Sequence, residues 1–508
     1  MLLSRLADTW AALAATRSRN AKQDLIAGVL GEAEAGEIEI VVAYLSGSLR
    51  QRRTGVGWKS LQTVPDAALV SSLTVADVDQ RFNDLAQLSG VGSAAARAAA
   101  VREVFALATT AEQGFLRGLI FGDLRQGALD AQVQEGLAVA FDVPLVTVRR
   151  AAMLLSSTTA TARRLTEGGV AALDAVDLRI GVPLQPMLAA SAADPEEAAD
   201  KSGLPAVVDH KLDGIRVQVH RNGSAISIFT RSLEEITDRL PEVTAAVAAL
   251  PHDRLVLDGE VMALRPDGRP ESFQVIASRT SSRVDVASLA EQVPVSAFFF
   301  DLLHIDGRDL LDVPLSERVR VMAEVLPPAL VVTRRVATEV GDVADAFRVA
   351  VAGGYEGVVV KNPSSLYAAG RRDSAWIKVK PRHTFDLVVT AAEWGYGRRE
   401  GWLSNLHLAA RDGTTGELVM LGKTFKGLTD AMLTWQTQRF LELEVRRTES
   451  TVYLEPSTVV EIACDGLQTS IRYPGGVALR FARVLRYRPD KSAAEADTLE
   501  TVTAIHQP

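Results

Sequence analysis

Apolar residues recur every three to four positions through the first third of the chain. Leu2, Leu6, Trp10 and Leu13 fall at helical spacing, and Arg5 and Asp8 interrupt the run. An amphipathic helix is therefore expected at the start, not a secretion signal. Residues 94–107 are alanine-rich and read as a helix, as do 133–141 and 146–155. Residues 1–180 are read as all-helical. From 181 to 381 the period changes. Short strand-like runs at 216–220, 225–229, 255–257 and 297–300 mix with helical patterns at 316–326 and 344–351. This predicts an α+β region with largely antiparallel strands. From 382 to 508, runs at 385–390, 406–409 and 459–463 are separated by Gly and Asp turns, with one helix at 430–444. That pattern predicts a small five-stranded β-barrel. The linker falls at Lys380-Pro-Arg-His-Thr384, and the polar tail 491–508 is expected to lack fixed structure.

A length of 508 residues fits three such domains. With 47% hydrophobic and 23% charged residues, the composition supports packed cores, and no stretch has the length and apolarity of a membrane span. Cys464 is the single cysteine, which excludes an intrachain disulfide and a four-cysteine zinc module and fits a cytoplasmic setting. The net charge of −8 does not suggest a nucleic-acid binder, yet charge is unevenly placed. Between Ile471 and Lys491 six basic residues stand against one acid, Asp490.

Lys211-Leu-Asp-Gly-Ile-Arg216 lies between two strand-like runs. Asp213-Gly214 predicts a tight turn, since glycine tolerates positive φ. The turn would aim Lys211 and Arg216 at one pocket. A lysine among cations loses its proton more easily, and the neutral amine can attack phosphorus. An ordinary hairpin with a surface lysine explains the same six residues. Other charged residues sit at strand ends. Asp258-Gly-Glu260 follows an apolar run, Asp301 follows Phe298-Phe-Phe300, and Glu356 and Lys361 bracket Gly-Val-Val-Val. Lys378 and Lys380 share one face of Trp376-Ile-Lys-Val-Lys380. Taken singly, these are better read as solvated turn ends, an exposed strand face and core.

Taken in chain order, the set resembles the ATP-dependent DNA ligases, which belong to the covalent nucleotidyltransferases. The resemblance rests on Lys211-Leu-Asp-Gly-Ile-Arg216, Asp258-Gly-Glu260, Phe300-Asp301, Glu356-Gly-Val-Val-Val-Lys361, Trp376-Ile-Lys-Val-Lys380 and Arg480-Phe-Ala-Arg-Val-Leu-Arg-Tyr-Arg-Pro-Asp-Lys491. It implies a helical DNA-binding domain at 1–180, an adenylation (nucleotidyltransferase) domain at 181–381 and an oligonucleotide-binding (OB) fold at 382–508. It implies that Lys211 attacks the α-phosphate of ATP and passes AMP to the 5′-phosphate of a nick. Asp209 stands where such ligases usually carry Glu and would read the adenine amino group. Phe300 would stack on the base. Arg216, Arg231 and Arg372 would hold ribose and phosphate oxygens. Glu260 would lie near ribose and metal, and with Glu356 would hold Mg²⁺, or Mn²⁺ in its place. Lys378 and Lys380 would neutralise charge on the α-phosphate. Arg480, Arg483, Asp490 and Lys491 would close over the β- and γ-phosphates from a mobile third domain, or hold nucleic-acid phosphates.

Two stretches of the helical third add to this. Leu88-Ser-Gly-Val-Gly-Ser-Ala-Ala-Ala-Arg97 resembles a helix-hairpin-helix turn, or is a plain interhelical turn. Gly114-Phe-Leu-Arg-Gly-Leu-Ile-Phe-Gly-Asp-Leu-Arg-Gln-Gly127 resembles the ligase segment that sets Arg and Gly against a duplex backbone. Arg117 and Arg125, with Arg53 and Lys59 near Gly55-Val-Gly57, are the DNA contacts this implies. An RNA ligase or a capping guanylyltransferase is the alternative, but a capping enzyme would not need the helical domain. NAD-dependent relatives normally carry the four-cysteine module, so ATP is the expected donor. Nicked duplex DNA is the expected partner, with no membrane, and the expected state is a monomer.

Overall fold

The computed structural model describes residues 1–51, 54–61, 63–124, 126, 130–369 and 372–505, with the backbone alone at 58, 59, 372 and 373. Helices carry the chain from Leu3–Ala15 to Thr158–Asp174. The runs read as helical from sequence fold as Ser93–Leu107, Asp130–Ala140 and Leu145–Leu155. The first helix buries Leu3, Leu6 and Leu13, whereas Leu2 is 47% exposed. Leu2 precedes the helix and forms an isolated β-bridge with Thr74, so it does not continue the buried stripe.

Two glycines of the 114–127 segment serve packing. Gly114 and Gly118 lie on the helix Thr110–Phe121, where their missing side chains admit Trp10 and Leu124. A Cβ on Gly118 would lie 2.4 Å from the Leu124 side chain. Arg117, between them, is exposed. The helices Val75–Gln87 and Ser93–Leu107 turn through Gly90 and Gly92, and Arg97 closes the turn by donating to the Leu88 carbonyl.

Two five-stranded sheets follow. The first runs, in spatial order, Leu188–Ser191, Arg372–Val379, Gly357–Lys361, Ala206–Lys211 and Arg334–Ala337. Its first pair is parallel and the others antiparallel. The second runs Ala225–Thr230, Ile215–Asn222, Arg254–Ala263, Val295–Ile305 and Arg308–Asp309, antiparallel throughout. Val208, Val358, Val360 and Ile377 pack the first sheet against the helices Pro195–Ser202 and Val340–Ala352. Val219, Leu257 and Phe299 pack the second against Pro241–Ala248 and Leu315–Val325. The helical third does not stand apart. Val256, Leu303, Tyr367 and Trp376 belong to the same continuous core as Leu116 and Val148.

The last region is richer in strands than the sequence pattern predicts. His383–Trp394, Leu403–Arg411, Leu418–Thr424, Glu444–Arg447, Thr451–Cys464 and Arg483–Tyr487 form a six-stranded sheet around Leu387, Leu408, Phe440 and Ile462. The extra strand arises because Thr451–Cys464 is long enough to pair with Glu444–Arg447 along one half and Arg483–Tyr487 along the other. The tail is also ordered as far as residue 505. Thr498 caps the short helix Leu499–Thr503, and Leu499, Val502 and Ile505 seat against the barrel core, Val502 with no exposure. Helical spacing of three apolar side chains gives this polar-looking tail a buried face.

Candidate active site

Lys211 ends a strand of the first sheet, and Ile215 begins a strand of the second. The turn between them therefore crosses from sheet to sheet and is not a hairpin. Gly214 is not there for a positive φ. A Cβ on it would lie 2.2 Å from the Val261 carbonyl, so close approach to the strand Arg254–Ala263 demands glycine. Its amide donates to Glu260 at 3.0 Å. Between the sheets opens a cleft of about 730 Å³. Asp209, Lys211, Arg216, Arg231, Glu260, Phe300 and Lys378 all line it, Arg231 as an exposed residue.

Strand register brings Glu356 to Lys211. Lys211 pairs with Gly357, and the Glu356 amide donates to the Lys211 carbonyl at 3.0 Å. Lys211 Nζ lies 2.5 Å from Glu356 Oε2 and donates to the Leu212 carbonyl at 3.2 Å. Lys380 binds the other Glu356 oxygen and, at 3.2 Å, Asp465 of the barrel. The charged group at contact with Lys211 is thus an acid, Glu356, with Lys380 on the acid's other oxygen.

Glu260 reaches in from the cleft wall. Desolvation there, opposed by the Lys211 charge and the Gly214 N–H, pushes its carboxyl up to about 7. The folded carboxyl then holds its proton to about 7 and the unfolded one only to about 4.5, so the folded state binds more protons between those values. Stability of the ligand-free protein is expected to fall as pH rises from about 4.5 to about 7, and to level off above. Melting temperatures across that range check this, and Glu260→Gln should flatten the fall.

Asp209 is fully buried. Arg334 grips it at 2.5 and 2.7 Å and Lys361 at 2.7 Å. Burial alone would raise its pKa, but the two cations hold the carboxyl below the usual range. The acid expected to face a base is therefore committed to two cations. Phe300 meets Trp376 edge-on with centroids 5.7 Å apart, making an apolar wall. Lys361 Nζ lies 4.1 Å from the Trp376 centroid and 4.7 Å from that of Phe300. Arg216 donates to both Asp258 oxygens at 3.0 and 2.7 Å, with its Cζ 5.4 Å from the Phe300 centroid. Sequence reasoning gave no role to Arg334, Lys361 or Asp258. A buried acid inside an apolar strand was the available signal for Asp209 and Asp258, because such acids require cationic partners.

The barrel reaches the cleft through few groups. Arg480 binds Asp213 at 2.9 Å, and Gln274 donates to the Thr469 carbonyl at 3.2 Å. Arg483 is exposed on its strand. Asp490 is held by Arg488 at 2.7 Å and Lys491 by Asp386 at 2.6 Å, both inside the barrel domain. Of the four residues expected to close over phosphates, Arg480 is the one that contacts the nucleophile's turn. Arg372 lies on its strand, but its side chain and that of Lys59 fall outside the described set. Arg53 and Arg125 lie outside the described residues altogether.

Glu260 and Glu356 offer hard carboxylate oxygens. Among the described residues no cluster of three or more acids, histidines or cysteines forms a closed metal cage. Mg²⁺ keeps waters and substrate phosphates as ligands and so needs few protein carboxylates.

The two sheets, the lysine at their seam and the aromatic wall define a nucleotidyltransferase domain, flanked by a helical and a β-rich region. Comparison with known proteins matches three family models along the chain. Residues 59–138 match the DNA ligase N terminus, 186–380 the ATP dependent DNA ligase domain, and 399–491 the ATP dependent DNA ligase C terminal region. A Beutenbergia cavernae protein described as "Probable DNA ligase" is 56% identical, with 99% of each chain covered. A Nocardioides protein of the same description is 54% identical, again over 99% of each chain. A solved structure described as Pmar-Lig_PreS3 shares the fold, with a TM-score of 0.64 at 20% identity over 95% of this chain and 99% of that one. This chain belongs to the ATP-dependent DNA ligase family.

Proposed function

We propose that this ligase seals nicks in duplex DNA, with Lys211 as the carrier of AMP. The observation that supports this most is the position of Lys211 at the seam of two sheets, on a cleft with an aromatic wall and both acids and lysines around it. Lys211 attacks as the free amine, and Glu356, in contact with it, is placed to take its proton. A P–N bond forms to the α-phosphorus, the P–O bond to pyrophosphate breaks, and pyrophosphate leaves. The 5′-phosphate of the nick then takes AMP, breaking the P–N bond. Finally the 3′-hydroxyl attacks that activated phosphate and AMP leaves.

Phe300 stacks on the base, and Arg216, Arg231 and Arg372 hold ribose and phosphate oxygens. Lys378 and Lys380 neutralise charge at the α-phosphate. Mg²⁺ or Mn²⁺ held by Glu356 and Glu260 would supply further positive charge there. Arg480 clamps the leaving pyrophosphate from the closed barrel domain, while Arg483, Asp490 and Lys491 act in other arrangements of that domain. Arg53, Lys59, Arg117 and Arg125 hold the duplex backbone. The enzyme works as an intracellular monomer. Among the described residues no helix is long and apolar enough to cross a membrane.

The test is sealing of a 5′-labelled nicked duplex with Mg²⁺. Joining is expected with ATP and not with GTP, and on DNA ends in preference to RNA ends. Preferential joining of RNA would favour an RNA ligase. Covalent labelling by GTP would favour a guanylyltransferase.

A further inference from the structure

The wall of the nucleotide cleft is held from behind by one buried hydroxyl. Tyr367 is 3% exposed and lies outside every motif that carries the ligase resemblance. Its hydroxyl donates to Asp258 Oδ2 at 2.8 Å and accepts from the Met187 N–H at 3.2 Å. Asp258 receives two nitrogens of Arg216, and the third, Nη1, donates to the Met187 carbonyl at 2.6 Å. The four groups thus close a ring from Met187 through Tyr367, Asp258 and Arg216 back to Met187. Met187 is where the chain arriving from the helical region enters the first sheet. The ring ties that entry point to an arginine of the second sheet, across the cleft's floor.

Every group in this ring is fixed by packing. The Tyr367 ring stands edge-on to Trp376, with centroids 6.2 Å apart. Two residues further on, the Ala369 amide donates to Met153 Sδ at 3.3 Å. Asp258 is 1% exposed, so a donor lost from it is not replaced by bulk water. Burial, and then the Asp258 charge, push the Tyr367 phenol well above its ordinary value, so the hydroxyl remains a donor.

We propose that Tyr367 is a positioning residue for the nucleotide step, its hydroxyl setting Asp258 and Met187 so that Arg216 faces ATP in the cleft. The proposal rests on the cleft being the ATP site. Tyr367 acts through Arg216 and not on the nucleotide. Its loss weakens ground-state and transition-state binding alike, so it should change the ATP concentration needed and not the rate at saturation.

Single-turnover self-adenylylation of Tyr367→Phe, followed against ATP concentration, tests this. Half-saturation is expected to rise about tenfold, within reach of one hydrogen bond to a charged group. The saturated rate should stay within about twofold of wild type, the margin of uniform binding loss. In an Arg216→Lys background the same substitution should add less than about twofold, because the two act as one unit. Asp258→Asn, which keeps an acceptor for the hydroxyl but removes the Arg216 ion pair, should give a larger shift, and adding Tyr367→Phe to it should change half-saturation by less than about twofold. Unchanged half-saturation, or effects that multiply in the double variant, would overturn the proposal and leave Tyr367 a core residue. A wild-type protein that takes no label from ATP would defeat the reading of the cleft itself.

Discussion

Lys211→Ala is expected to abolish covalent labelling by α-labelled ATP, and with it all nick sealing that starts from ATP. The amine is the only group proposed to form a bond to the nucleotide, so its removal is not a matter of degree. Simple loss of activity is a weak test, however, because truncation also breaks the contact with Glu356. Lys211→Arg is the sharper variant. A guanidinium keeps the charge and can keep the ion pair, so the fold and the Glu356 contact survive. It does not give up its proton and is no nucleophile. Melting close to wild type with no label is the expected result. A labelled Lys211→Arg protein would place the nucleotide on another residue.

Arg480→Ala is expected to slow self-adenylylation by about 10²- to 10³-fold, the usual cost of one electrostatic donor at a reacting phosphate. Sealing of a nick that already carries AMP should fall far less. The reasoning is geometric. Arg480 lies 2.9 Å from Asp213, two positions beyond the nucleophile, and it comes from the barrel. Its contact with the cleft therefore depends on closure of that domain. Pyrophosphate departs in the first step, whereas the last step needs the cleft open to DNA. Single-turnover rates on ATP and on pre-adenylated nicked DNA separate the two. Equal losses in both would make Arg480 a DNA contact.

Local features were readable where periodicity and turn chemistry decide them. The alanine-rich helix Ser93–Leu107 and the strand Ile215–Asn222 emerge close to their expected limits. The strand Arg254–Ala263 was read as three residues, because Asp258-Gly-Glu260 looked like a terminus. Asp258 continues the strand since Arg216 and Tyr367 compensate its buried charge, and neither partner is adjacent in sequence. The same holds for Asp209. Its partner Arg334 lies 125 positions away in a stretch with no motif of its own. Gly214 was read as a turn residue for its tolerance of positive φ, but a steric limit set by a strand of another sheet is what requires it, and that leaves no trace in the turn itself. The tail was misjudged because three apolar residues matter only once a barrel surface exists to receive them.

The shared core of the helical and nucleotidyltransferase regions has a mechanical consequence. A continuous buried core resists displacement of one region against the other, so these two parts are expected to move together. The β-rich region is joined differently, through the short connection between Val379 and His383 and through polar contacts such as Arg480 with Asp213. A duplex lying on both of the joined regions would meet a single stiff surface, and only the β-rich region would have to travel to enclose it.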